Sequence, residues 1–271
     1  MASPEVVAVT TRSRLRGPRF FPAMLFATLR TRRQLRRTPG LVRYASVIGS
    51  PVEFWTLTVW SSLHEMQEFM RSGAHGDVMW EMPRWLRSFW LARWRPGPHE
   101  VGSWDGLELA APEVAAVAPR GEPAEGPEFV RRALEEGSLT YAQSPLVRVS
   151  RAALGGVAGA VVRVSAPPWR LRRAFADVRR LRRLLEREPE LVRVFVGVAR
   201  FRDVYLFALW SSRDGPARLL QGEWARSARL RWHERLWVSE WLPENEFGHW
   251  DGLRMRRIRT RSRAFPSAVG G

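Results

Sequence analysis

Gly102-Ser103-Trp104-Asp105-Gly106-Leu107 returns further along the chain as Gly248-His249-Trp250-Asp251-Gly252-Leu253. Other marks repeat with it. Trp60-Ser61-Ser62 returns as Trp210-Ser211-Ser212, and Trp85, Trp90 and Trp94 correspond to Trp232, Trp237 and Trp241, each pair 147 positions apart. A unit this long is too large for one turn of a stacked solenoid. It reads instead as a duplicated domain, whose halves rebuild inside one chain an assembly that smaller proteins make from two copies.

The periodicity between these marks is the same in both halves. Val6 to Thr11 reads as a strand and Arg12 to Arg19 as an arginine-rich turn. Phe20 to Arg37 has helical spacing, with Phe21, Met24, Leu25, Leu29 and Leu35 on the buried side, and Thr38-Pro39-Gly40 stops it. Leu41 to Ile48 and Phe54 to Trp60 follow as an antiparallel pair around a short connection. Ser62, with Glu65 three residues later, forms a capping-box signal for a helix that breaks near Ser72-Gly73. A second helical piece runs from His75 to Arg87, and Phe89 to Trp94 is the last strand.

The second half repeats the order with Ala160 to Val164, a helix over Pro168 to Glu188, strands at Leu191 to Val198 and Val204 to Trp210, a helix from Asp214 through Trp232, and a strand from Leu236 to Trp241. The expected class is α+β: two tandem ferredoxin-like halves whose bare sheet faces pack together as an intramolecular dimeric α+β barrel. The expected boundaries are 1–109 for the first half, 110–157 for a linker and surface arm, 158–255 for the second half and 256–271 for a flexible basic tail. A short helix is expected at Phe129 to Glu136.

Composition removes several function classes. With no cysteine, thiolate catalysis and Cys-ligated metal or haem are excluded. None of the five histidines has a partner at the i, i+4 spacing of a helical zinc site. The formal charge of +17 ordinarily suggests nucleic acid, yet all 44 basic residues are arginine. This one-sided usage points to coding bias and to solvated helix faces, since arginine lays its stem along apolar surface with its charge in water. Apolar runs end well before the roughly 20 residues a membrane span needs. Met1-Ala2-Ser3-Pro4-Glu5 lacks a secretion signal, so a cytoplasmic location is the expectation.

Pro39-Gly40-Leu41, Trp55 to Ser62, Met66 to Phe69, Ser72 to His75 and Phe89 to Gly106 resemble the dimeric α+β-barrel superfamily of antibiotic-biosynthesis monooxygenases and haem-degrading enzymes, and within it the spheroidene-monooxygenase-like branch. The resemblance implies a chamber between the sheet and the helices of a half. It also implies either haem held by a helix histidine or no cofactor at all. His75 is the nearest match to that histidine, as iron ligand or as acid–base catalyst.

Arg43 and Tyr44 are further candidates, Arg43 for a carboxylate or haem propionate and Tyr44 for a carbonyl or bound oxygen. Because they are adjacent on a strand, only one of them enters a given chamber. Aligning Gly73 with Gly222 sets His75 against Trp224, which favours one active chamber per chain. Asp105 and Asp251 read as turn formers, and the tryptophans first as packing. The implied activity is that of a monooxygenase-like oxidoreductase using molecular oxygen on a hydrophobic polyketide, terpenoid or carotenoid-like compound. A cyclase, isomerase or dehydratase in the same chamber, and a noncatalytic binder, are the alternatives. The expected assembly is a monomer with an internal pseudo-dimer, or a higher homo-oligomer.

Overall fold

The structure, a computed structural model, describes residues 6–109 and 156–258. The expected helix at Phe129 to Glu136, nearly all of the expected arm and most of the basic tail lie outside them. The first half runs β1 (Val7–Leu15), α1 (Phe21–Leu35), β2 (Leu41–Ser50), β3 (Glu53–Trp60), α2 (Leu63–Arg71), α3 (Gly73–Trp85) and β4 (Leu86–Gly102). The second runs β5 (Ala158–Ser165), α4 (Leu171–Leu185), β6 (Leu191–Ala199), β7 (Asp203–Trp210), α5 (Asp214–Gln221), α6 (Glu223–Trp232) and β8 (Leu236–Gly248). The single helix expected over Asp214 to Trp232 is two, broken at Gly222 as its counterpart is at Ser72. No helix among the described residues is long and apolar enough to cross a membrane.

All eight strands close into one antiparallel barrel in the order β1-β3-β2-β6-β7-β5-β8-β4. Two seams join the halves. At one, β4 and β8 pair from Trp90↔Gly248 to Gly102↔Trp237; at the other, β2 meets β6 at Ile48↔Val198. Alternation along each strand then sorts side chains between the barrel interior and the helices outside. Trp55, Trp90, Trp94, Phe207, Trp237 and Trp241 point inward into one cluster with Trp104 and Trp250. Three indole N–H groups of this core are satisfied, Trp90 Nε1 by Glu246 Oε1 at 2.7 Å, Trp237 Nε1 by Glu100 Oε1 at 2.6 Å and Trp94 Nε1 by Thr10 Oγ1 at 2.8 Å, while those of Trp55 and Trp241 meet no partner among the described residues.

The repeated WDGL segments now have a physical account. Asp105 and Gly106 (φ 53° and 81°) and Asp251 and Gly252 (φ 47° and 85°) are the central pairs of two-residue turns that need positive φ at both positions, the conformation Asp-Gly favours. Each turn closes with hydrogen bonds in both directions, Trp104 N to Leu107 O at 2.8 Å and Trp250 N to Leu253 O at 2.9 Å among them. The leading glycine lets the halves touch, because a Cβ on Gly102 lies 2.0 Å from Leu236 O and one on Gly248 lies 2.2 Å from Phe89 O.

Arg12 was expected in a turn, but β1 continues through it to Leu15 and the residue is buried in the barrel. Its guanidinium is neutralised there by Glu53 and by Asp251 of the other half. Two other expectations fail on α1, where Leu25 and Leu29 are 40% and 52% exposed. The face turned to the sheet is the one carrying Met24, Ala27, Thr28, Thr31 and Leu35, at the i, i+3, i+4, i+7 spacing of one helical stripe, and its middle, Ala27, Thr28 and Thr31, is small or hydroxylated.

Candidate functional site

Ladder register makes the two halves comparable position by position. Val7↔Trp60 in the first corresponds to Ala158↔Trp210 in the second, and Leu41↔Trp60 to Leu191↔Trp210, with the same irregularity after the leucine. On the sheet face that looks out to the helices, the first half carries Thr11, Ser13, Tyr44, Ser46, Thr56 and Thr58. The second carries Val162, Val164, Val194, Val196, Leu206 and Ala208 in the corresponding places. On the facing helix, Thr28 and Thr31 correspond to Val178 and Leu181.

Packing follows from that difference. In the second half the aliphatic side chains merge with α4, α5 and α6 into one continuous buried cluster. In the first half the same layer splits into two clusters, one around Met24, Met79 and Met82 and one around Val9, Met66 and Phe69. A cavity of about 120 Å³ lies between them, floored by the hydroxyl-bearing sheet face and roofed by α1, α2 and α3. Methionine walls are flexible and polarizable, so they adapt to irregular apolar guests.

His75 lines this cavity. Its backbone N–H donates to Gln34 Oε1 at 2.8 Å, while Gln34 Nε2 donates to Ser72 O at 2.8 Å, so one side chain of α1 fixes the start of α3. Gln34 was not singled out from sequence; the only trace was its replacement by Leu184 at the matching place in α4. The imidazole packs on Phe69 with ring centroids 4.6 Å apart, and Nδ1 lies 3.4 Å from Met70 O. That contact favours the tautomer with the proton on Nδ1, leaving the lone pair on Nε2. Removal from water pushes the pKa down to about 4, the Met70 carbonyl opposing this only in part, so the ring is neutral at pH 7. His75 is two residues beyond the first residue of α3, as Ala225 is in α6, which moves its counterpart from Trp224 to a fully buried alanine.

Tyr44 enters the same cavity and Arg43 does not. The Tyr44 hydroxyl accepts from Arg32 Nε at 2.7 Å. Burial raises its pKa, but hydrogen bonds from Arg36 and Arg32 and the charges of Arg32 and Arg200 together outweigh burial and hold the phenol below its usual range. Arg43 faces the barrel side, where it donates to the carbonyls of Trp104 at 3.1 Å, Asp105 at 3.3 Å and Val42 at 2.8 Å. These bonds fix the WDGL turn. The expected pairing of His75 with iron and Arg43 with a propionate is therefore not assembled, since the sheet separates the two side chains. At about 120 Å³ the cavity is also well below the roughly 300–1,000 Å³ of sites that enclose larger ligands. The residues present do not fit a haem. No group of three or more His, Asp or Glu able to hold a metal occurs among the described residues.

No family model matches the chain, and no curated protein is similar enough to count as a match. Solved structures align over much of it at low similarity. One is a candidate monooxygenase from Fusobacterium nucleatum subsp. nucleatum, 8% identical over 91% of this chain and 95% of the other, with a TM-score of 0.35. An anthrone oxidase-like protein is 10% identical over 90% and 93%, TM-score 0.32. SnoaB, a cofactor-independent oxygenase from Streptomyces nogalater, is 16% identical over 32% of this chain and 90% of its own, TM-score 0.27. Likeness this slight says nothing of activity.

Proposed function

We propose that the chain is an oxidoreductase of the monooxygenase type that works without a cofactor on a hydrophobic substrate held in the first-half cavity. In this reading the halves are tandem ferredoxin-like units, an intramolecular dimeric α+β barrel in which the second half serves as scaffold. The observation that carries the proposal is the contrast within one layer: hydroxyls, an imidazole and a cavity in the first half, aliphatic packing in the second. The resemblance of Ser72 to His75 and Phe89 to Gly106 to oxygenases of this superfamily supports the choice of oxygen chemistry. A cavity of about 120 Å³ accepts one ring or one end of a polyketide or terpenoid; an engineered cavity of roughly 150 Å³ binds benzene.

The chemistry open to these side chains starts with proton transfer. Neutral His75 Nε2 takes a proton from an acidic C–H of the bound substrate, and the developing anion raises the basicity of the imidazole beside it. The carbanion gives its electrons to molecular oxygen, forming a C–O bond and a peroxide anion, to which His75 returns the proton. Loss of water from the hydroperoxide then leaves a carbonyl, so that CH₂ and O₂ become C=O and H₂O. The apolar roof keeps bulk water from the reactive anion.

Oxygen uptake by the purified chain, supplied with a bicyclic aryl ketone bearing an acidic methylene, tests the proposal. One O₂ consumed per carbonyl formed, with a loss of tenfold or more in His75→Gln, is expected. Rearranged product without oxygen uptake points to acid–base chemistry alone. Unchanged uptake in His75→Gln, or stoichiometric haem in the protein as isolated, overturns the proposal.

A further inference from the structure

Three arginines gather at the Tyr44 end of the cavity. Arg182 on α4 pairs at 2.7 Å with Glu186 four residues later. The corresponding pair on the first half is Arg32 and Arg36, two cations; Arg32 donates to the Tyr44 hydroxyl at 2.7 Å and Arg36 helps to lower its pKa. A third cation comes from the other half: the Arg200 guanidinium lies 5.2 Å from the centre of the Tyr44 ring. No carboxylate among the described residues pairs with Arg32, Arg36 or Arg200, so the charge gathered around Tyr44 is not neutralised by any of them.

Arg200 is held there at a conformational cost. It and Phe201 are the central residues of the β6–β7 turn, with φ of 52° and 54°, the left-handed region that favours glycine or asparagine. The corresponding β2–β3 turn of the first half has no positive-φ residue. Strain of this kind persists where surrounding structure enforces it and is a pointer toward function. At the place of Tyr44 itself the second half has Val194, so the phenol and Arg32 that line the cavity, and Arg200 over the phenol ring, have no equivalent there.

We propose that this end of the cavity recognises an anionic oxygen on the hydrophobic substrate, a carboxylate or an acidic enol or phenol, with Arg32 and Arg200 as the specificity-determining residues. The inference rests on the reading of the cavity as the substrate site. The apolar body of the ligand lies against the methionines, and its oxyanion takes the N–H donors of Arg32 and the hydroxyl proton of Tyr44. Arg200, exposed and supplied by the second half, adds charge across the junction.

Calorimetric titration of the full chain with benzoate, benzamide and toluene tests this. Benzoate is expected to bind at least tenfold more tightly than isosteric benzamide. Arg32→Gln and Arg200→Gln bring that ratio toward one, and Arg33→Gln, which removes the same charge from an exposed position on α1, keeps it. Should Arg32→Gln not fold, the exposed Arg200→Gln decides alone. Benzamide and toluene binding as well as benzoate, or a benzoate preference retained in both cavity variants, overturns the anion site while leaving the cavity reading intact. Binding of none of the three overturns both.

Discussion

The Arg12 guanidinium of the first half donates to the Asp251 carboxylate of the second at 2.7 Å, and the mirror contact, Arg163 to Asp105, spans 2.8 Å. Each arginine is buried, stacks over the tryptophan beside its aspartate (Trp250 and Trp104) and meets a second acid from its own half, Glu53 or Asp203. These reciprocal clasps hold the halves in one register. Arg12 depresses the Asp251 pKa against the raising effect of burial, so this contribution is present above the unfolded carboxylate pKa and is lost as pH falls through the lower folded value. Asp251→Ala strips the buried Arg12 of one counter-ion but leaves Glu53. Urea unfolding is expected to show a loss of about 1–3 kcal/mol, less than for a fully buried pair because Asp251 is 37% exposed.

Two glycines of the same motif separate backbone strain from steric conflict. Gly252 (φ 85°) has open space where a Cβ would stand, so Gly252→Ala costs only the left-handed conformation, about 1–2 kcal/mol. Gly248 (φ 74°) carries that cost and also meets Phe89 O at 2.2 Å. Gly248→Ala is expected to be the more damaging by a clear margin in thermal melts; equal losses contradict the seam described here.

His75 gives a pH signature. Its folded pKa of about 4 lies below the ordinary 6.5, so the unfolded chain binds the extra proton between these values. Stability therefore falls as pH drops from about 6.5 to 4, by less than the roughly 3 kcal/mol of a fully buried ring because His75 keeps part of its surface in water, and levels off below. His75→Phe is expected to flatten that part of the pH–stability curve.

Thr11 Oγ1 and Thr56 Oγ1 share a hydrogen bond of 2.5 Å on the cavity floor, where the second half has Val162 and Leu206. Thr56→Val alone strands a partner and costs about 1 kcal/mol, whereas Thr11→Val with Thr56→Val is near neutral or stabilising. The double variant is nevertheless expected to lose ligand binding or activity, as measured by calorimetry or oxygen uptake, because the floor then lacks its paired hydroxyls, as the second half does.

Much of the barrel was legible because its signals are local. Thr38-Pro39-Gly40, the Ser62–Glu65 cap, whose Oγ accepts from Glu65 N at 3.3 Å, and Asp-Gly in the WDGL turns each act within a few residues. Alternation also foretold that Arg43 and Tyr44 part company. It left open which of them faces the cavity, because only closure of the barrel defines inside and outside. Arg12 misled because a buried arginine looks like a turn residue until its partners, Glu53 and the distant Asp251, are folded against it. Leu25 and Leu29 misled for the opposite reason: the sheet-facing stripe of α1 is built from Thr28, Thr31 and Ala27 around a cavity, so hydrophobicity pointed to the wrong face. The threonine-to-aliphatic exchanges were present in the repeat but carry meaning only once strand register pairs them.

One layer, between α1 and the first-half sheet, is open to an apolar guest, and the corresponding layer of the second half is filled. A crystal pressurised with xenon tests it directly, since xenon enters dry apolar cavities without needing a polar partner. The account predicts density beside His75 and Met79, between α1 and the first-half sheet, and none between α4 and the strands around Val162 and Leu206. Xenon under α4, or none beside His75, would contradict it.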